Sequence, residues 1–182
     1  MTILLTLADK TEREGSGGVM LLRLPMIFAV TALFAGAALG DGPGPRNLEK
    51  PFNPATAVQT HFGIAGDPKK VTVSMGVTMR DTMRYYPEVL EVKLGDTVRL
   101  MAFNQGKVTH EVVLGTLADL REHAKMMRLH PGMQHDQPYM AHVEPRQTEW
   151  LTWTFNRKGT FYYGCLVAGH FESGMVGKII VR

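Results

Sequence analysis

Three donors of different softness stand close together near the C-terminus. Cys165, the only cysteine, shares the stretch Gly164 to Met175 with His170 and Met175, and four residues separate each donor from the next. Gly164, Gly169 and Gly174 punctuate this stretch, so it reads as a loop between strands and not as a helix face. A thiolate, an imidazole and a thioether from one loop, joined by a second imidazole from a distant strand, make the donor set of copper in a two-histidine, one-cysteine plane with a weak axial methionine. Thiolate and thioether favour cuprous copper, and imidazole tolerates cupric copper. A scaffold that holds them in a compromise geometry reorganises little when an electron arrives. Each residue also has a plainer reading: a lone cysteine as a small buried hydrophobe, Met175 as core, and His170 as a satisfied loop residue. It is their coincidence in one turn-rich loop that favours ligation. Structural zinc sites use several Cys or His without Met, which fits this set less well. A thiol–imidazole hydrolase leaves Met175 without a role, and no oxyanion arrangement accompanies the pair.

A second stretch is rich in the same donor types. His123, Met126, Met127, His130, Met133, His135, Met140 and His142 crowd the segment before the last strands. On a helix, His123, Met126 and His130 fall within about 60° of one another. With Met133 and His135 they form a candidate accessory copper site, suited to capture or delivery of the ion. The alternative is a solvated helix flank with methionine as gap filler. His61, far upstream, reads as a linker residue.

The elements that must position these donors are mostly strands. Val71 to Met79 alternates apolar and small or polar residues, Val89 to Lys93 does so more briefly, and Thr97 to Phe103 follows the turn Gly95-Asp96. His110 to Leu114, Glu149 to Phe155, Thr160 to Tyr163 and Met175 to Val181 complete six or seven short strands, the pattern of an all-β Greek-key sandwich. One helix interrupts them. Thr116 with Asp119 three residues later resembles a capping box, Leu117, Leu120, Ala124 and Met127 share one arc, and Pro131-Gly132 stops the run. Gly132 to Gln147 then reads as a long polar loop.

The chain divides into three parts. Leu24 to Leu39 carries no charge, follows Arg23 and ends in small residues, as a secretory signal does, and it is shorter than the roughly 20 residues of a spanning helix. Residues 1–40 are therefore a signal region, with residues 1–19 an over-extended start. Residues 41–68, rich in Pro and Gly, form a linker or arm, and residues 69–182 form the folded domain. Export places the protein in the periplasm, with no membrane attachment after cleavage.

Composition limits the function. Twenty Lys and Arg against 17 Asp and Glu give a net charge of +3, with the charges scattered, which argues against nucleic acid as a partner. One cysteine excludes an intramolecular disulfide. Neither a glycine-rich phosphate loop after a strand nor a pair of catalytic carboxylates is evident, so an ordinary enzyme is not expected.

Several further motifs resemble one family. They are Met83-Arg84-Tyr85-Tyr86-Pro87, the run Val92 to Arg99, Asn104 to Gly106 leading into His110-Glu111-Val112-Val113-Leu114-Gly115, His123 to Met127, Pro131 to Asp136, and the Cys-His-Met loop. Over residues 61–182 the chain is similar to the cupredoxins, in particular to the periplasmic copper-tolerance cupredoxins of proteobacteria. The resemblance implies a cupredoxin-like β-sandwich with one inserted helix and a long loop, and a type 1 copper site. It also selects His110 as the upstream imidazole, beside Cys165, His170 and axial Met175. The function it implies is one-electron transfer and copper tolerance, with a periplasmic redox or copper-handling protein as partner. A copper carrier using the accessory residues and a cuprous oxidase are the rivals. The Cys-to-His spacing is longer than in plastocyanin-like loops, and Glu111 stands where a small polar residue is common.

Overall fold

The computed structural model describes residues 52–131, 133 and 136–182. The signal region and the start of the arm lie outside the described residues, as does His135. Along the chain the elements are β1 (Gln59–Thr60), β2 (Gly63–Ala65), β3 (Val73–Arg80), β4 (Arg84–Tyr86), β5 (Val89–Val92), β6 (Thr97–Asn104) and β7 (His110–Gly115). The helix α1 (Leu117–Leu129) follows, then β8 (Met140–Val143), β9 (Thr148–Thr154), β10 (Gly159–Gly164) and β11 (Val176–Val181).

Two sheets form, in the orders β1-β2-β9-β6-β3-β4 and β5-β11-β10-β7-β8. Alternation decides which side chains turn inward. Val77 and Met79 of β3, Leu100 and Ala102 of β6, and Leu151 and Trp153 of β9 are buried from one sheet. Val112 and Leu114 of β7, Tyr163 of β10 and Ile179 of β11 meet them from the other. Full burial of each Val, Leu, Ile or Met among them contributes about 1.5–3 kcal/mol, so the sandwich, and not any single strand, supplies the stability. This is the all-β sandwich the alternation implied.

Two stretches differ from the sequence reading. The polar loop expected over Gly132 to Gln147 contains β8, which pairs antiparallel with β7 and buries Met140, Ala141 and Val143 while His142 faces outward. Four residues with one histidine among them are too short a run to stand out from turn-like surroundings. The arm expected over residues 41–68 contributes β1 and β2, and β2 pairs with β9. Phe62 causes this: its ring stacks on Trp153 with centroids 5.4 Å apart, and its carbonyl accepts from the Trp153 indole N–H at 3.4 Å. His61 follows onto the helix, with Nε2 2.9 Å from Asp119 Oδ2.

Helix α1 begins as its sequence requires. The Asp119 N–H donates to Thr116 Oγ1 at 3.2 Å, and the Thr116 N–H donates to Asp119 Oδ2 at 2.9 Å, a reciprocal capping box. Leu120, Ala124 and Met127 are buried with Val113 of β7, Met140 of β8 and Leu166. The helix thus packs against the strand that carries His110 and against the start of the cysteine loop.

Candidate metal centre

The strand register brings the donors together. β10 runs antiparallel to β7 with Gly164 opposite Val113, so the chain leaves β10 at Cys165 beside the end of β7 that begins with His110. β10 also pairs with β11, with Gly164 opposite Val176, so the cysteine loop leaves and re-enters one ladder. The Cys165 N–H closes it by donating to the Met175 carbonyl at 3.1 Å. Within the loop the His170 N–H donates to Val167 O at 2.9 Å and the Met175 N–H to His170 O at 3.1 Å. Gly169 and Gly174 take φ of +87° and +91°, left-handed values that a side chain resists. From outside, Arg84 Nη1 donates to Ser173 O at 2.8 Å, and Arg128 of α1 pairs with Glu172.

Three donors converge in consequence. Cys165 Sγ lies 3.3 Å from His170 Nδ1 and 3.9 Å from His110 Nδ1, and the three ligand atoms all lie within 4.8 Å of one another. Among the His, Cys, Asp and Glu of the described residues this is the one group of three so placed. Cys165, His110 and Met175 are fully buried, and His170 is half-buried at the surface. Met175 enters through its main chain, bonded to Cys165 on one side and His170 on the other.

The surroundings set the protonation of each donor. Burial pushes the Cys165 thiol up to about 12, so the metal-free protein holds a thiol and a metal must displace its proton. The Glu111 N–H, 3.3 Å from Sγ, works in the opposite sense by favouring the thiolate. Burial, followed by the neighbouring His110 ring, lowers His170 below its ordinary value and keeps the imidazole neutral. His110 Nε2 lies 3.2 Å from Asp81 Oδ1, and Asp81 Oδ2 accepts from the Lys107 N–H at 2.8 Å. That backbone donor is the chief influence holding the Asp81 carboxyl below its usual range. A carboxylate on Nε2 leaves Nδ1 with its lone pair towards the thiol. Asn104 completes the support: its side-chain amide donates to Val108 O at 2.8 Å and Val143 O at 2.9 Å, anchoring the loop before His110.

A protonated thiol with two imidazoles offering Nδ1, converging in one buried place, is chemistry that fits a copper ion. A family model for copper binding proteins of the plastocyanin/azurin family matches residues 71–182. The chain belongs to this family. Copper is accordingly its cofactor, and the donors fit it. The chain is 40% identical over 158 residues to the copper-resistant cuproprotein CopI of Rubrivivax gelatinosus, across 87% of this chain and 96% of that one. To the copper-resistant cuproprotein CopI of Pseudomonas aeruginosa it is 32% identical over 150 residues, 66% of this chain and 82% of the other. Among solved structures, auracyanin B matches with a TM-score of 0.56 at 20% identity, over 66% of this chain and 96% of that one. Dithionite-reduced auracyanin from Roseiflexus castenholzii matches with a TM-score of 0.54 at 18% identity, over 62% and 98%. These two likenesses concern the cupredoxin fold.

The accessory residues are spread more widely than His110, Cys165 and His170. His123 is half-buried and lines a surface pocket with His61, Asp119 and Tyr139. Met126 and His130 are exposed at the end of α1, where the His130 N–H donates to Met126 O at 2.9 Å. Met133 is exposed and lines a different groove, with Met127 and Glu111. Two supporting residues escaped the sequence reading. Asp81 carries no local signal, because its tie to His110 spans 29 residues of chain. His142 was noted only as a donor in a metal-rich stretch, yet its Nδ1 lies 2.9 Å from Glu111 Oε1.

Proposed function

We propose that this member of the plastocyanin/azurin family is an exported type 1 copper protein that passes one electron at a time and contributes to periplasmic copper tolerance. Its copper ligands in this reading are His110, Cys165 and His170, with Met175 as the axial thioether. The convergence of the first three within 4.8 Å carries the reading. When bound, copper supplies a one-electron couple between its cupric and cuprous states. The chain's own residues do the rest. His110 and Cys165 are sealed from water, His170 reaches the surface from a loop tied down by Arg84 and Arg128, and Asp81 orients the His110 ring. Donors so fixed keep reorganisation small, which favours fast transfer to a redox partner docking near His170. Copper tolerance is supported by the names of the relatives, and export by the charge-free run Leu24 to Leu39.

Stepwise loading with copper tests the proposal. The visible charge-transfer absorption saturates at the first equivalent, and that copper reduces and reoxidises reversibly by one electron. Loss of reversibility at the first equivalent contradicts electron transfer. A coupled second equivalent that abolishes function when His123, Met126 and His130 are replaced together favours a copper carrier or cuprous oxidase.

A further inference from the structure

Alternation along β7 sends Val112 and Leu114 to the core between the sheets and Val113 to the face under α1. Glu111, and Thr109 just ahead of the strand, fall on the Val113 face. Across the ladder stand His142 and Glu144: Glu111 is the register partner of His142, with Oε1 2.9 Å from its Nδ1, and Thr109 Oγ1 donates to Glu144 Oε2 at 2.8 Å. These four residues and Asp136 line an open groove of about 710 Å³. Among the described residues no Lys or Arg lines it, although the chain as a whole carries a net charge of +3. Three carboxylates therefore share the groove with one imidazole. The innermost, Glu111, is 5% exposed, and its Oε2 is buried without a hydrogen-bond partner among the described residues.

Burying a carboxylate with one oxygen unsatisfied is costly, and a cation in the groove offsets that cost. The groove also holds a prepared ligand. A carboxylate on one imidazole nitrogen fixes the ring and makes the other nitrogen a better donor. Glu111 does this to Nδ1 of His142 as Asp81 does it to Nε2 of His110, with the two nitrogens exchanged. Thr109 holds one oxygen of Glu144 and leaves Oε1 to ligate. Imidazole and carboxylate together suit divalent copper and zinc, and copper binds most tightly of the first-row divalent ions. We propose that this groove is a second metal site, separate from the Cys165 centre, which takes a cupric ion on His142 Nε2 and the Glu144 carboxylate with the buried Glu111 charge as counterion. Its donors are not those on the flank of α1: His123 lines a different pocket, and neither Met126 nor His130 lines the groove. The inference goes beyond the function proposed above and does not depend on it.

The test is a titration of the full-length protein with cupric copper against a chromogenic chelator, followed by visible absorption and paramagnetic resonance. Beyond the equivalent that produces the sulfur-to-copper band, a further ion binds, and its paramagnetic signal shows nitrogen coupling with no added sulfur band. His142→Phe and Glu144→Gln each weaken this further ion by at least the roughly 10–100-fold that loss of an outer-sphere partner costs a metal site. The sulfur-to-copper band stays intact in both, which also shows that they fold. Replacing His123, Met126 and His130 together leaves the further ion in place. Should His142→Phe fail to fold, Glu144→Gln, at an exposed position, decides in the same way. A further ion held equally well when both His142 and Glu144 are replaced overturns the inference, as does the absence of any ion beyond the first; either result leaves the Cys165 site standing. A wild-type protein that lacks the band yet binds an ion sensitive to His142 and Glu144 supports the inference and removes the copper-site reading.

Discussion

The imidazole of His110 is useful to a metal only while its Nδ1 lone pair faces the thiol, and Asp81 enforces that orientation from the far nitrogen. Asp81→Asn keeps the shape and removes the charge, so copper affinity falls by roughly 10–100-fold in competition against a chelator. Gly106→Ala has the same consequence by another route, since a Cβ there would collide with Asp81 Oδ1. Protons compete for the same donors. His170 titrates below its ordinary 6.5 in the folded metal-free protein, so the unfolded chain binds the proton first. Its contribution to stability is present above 6.5 and is lost as pH falls through the lower folded value. Thermal unfolding of the metal-free protein therefore moves to lower temperature on acidification through that window, and by less in His170→Ala. At this scale the sequence was informative where the donors are neighbours in the chain, as Cys165, His170 and Met175 are. It was silent on Asp81, whose partner is fixed only by folding.

Among the elements, α1 and the cysteine loop are joined, because Leu166 packs under the helix and Glu172 pairs with Arg128. The helix is nevertheless a support and not a source of ligands in the proposed site. Thr116→Ala removes its cap and costs about 1 kcal/mol of stability in denaturant unfolding, while the copper spectrum stays unchanged. A changed spectrum would show that the helix end shapes the ligand geometry. Elements with several periods of alternation, such as β3, β6 and β9, were readable because each buries one face against the opposite sheet. β4 and β8 were not, since each is held by its neighbours more than by its own few residues. The capping box was readable because both partners lie within one turn. The arm misled for a physical reason: its proline and glycine content is that of a linker, yet Phe62 finds Trp153 only in the assembled sandwich.

At the largest scale, the described domain is a two-sheet scaffold whose ladders hold one reactive loop. β10 and β11 fix the two ends of the loop, β7 supplies the opposing histidine, and the core between the sheets keeps water from the thiol. That burial explains why the thiol holds its proton until a metal takes its place, and why copper binding stabilises the fold by mass action. The central claim is that the Cys165 sulfur is bonded to copper. The visible absorption spectrum of the copper-loaded protein beside that of Cys165→Ser tests it most directly. The account predicts an intense sulfur-to-copper band in the wild type that is lost in the variant; the same band persisting in Cys165→Ser would contradict it.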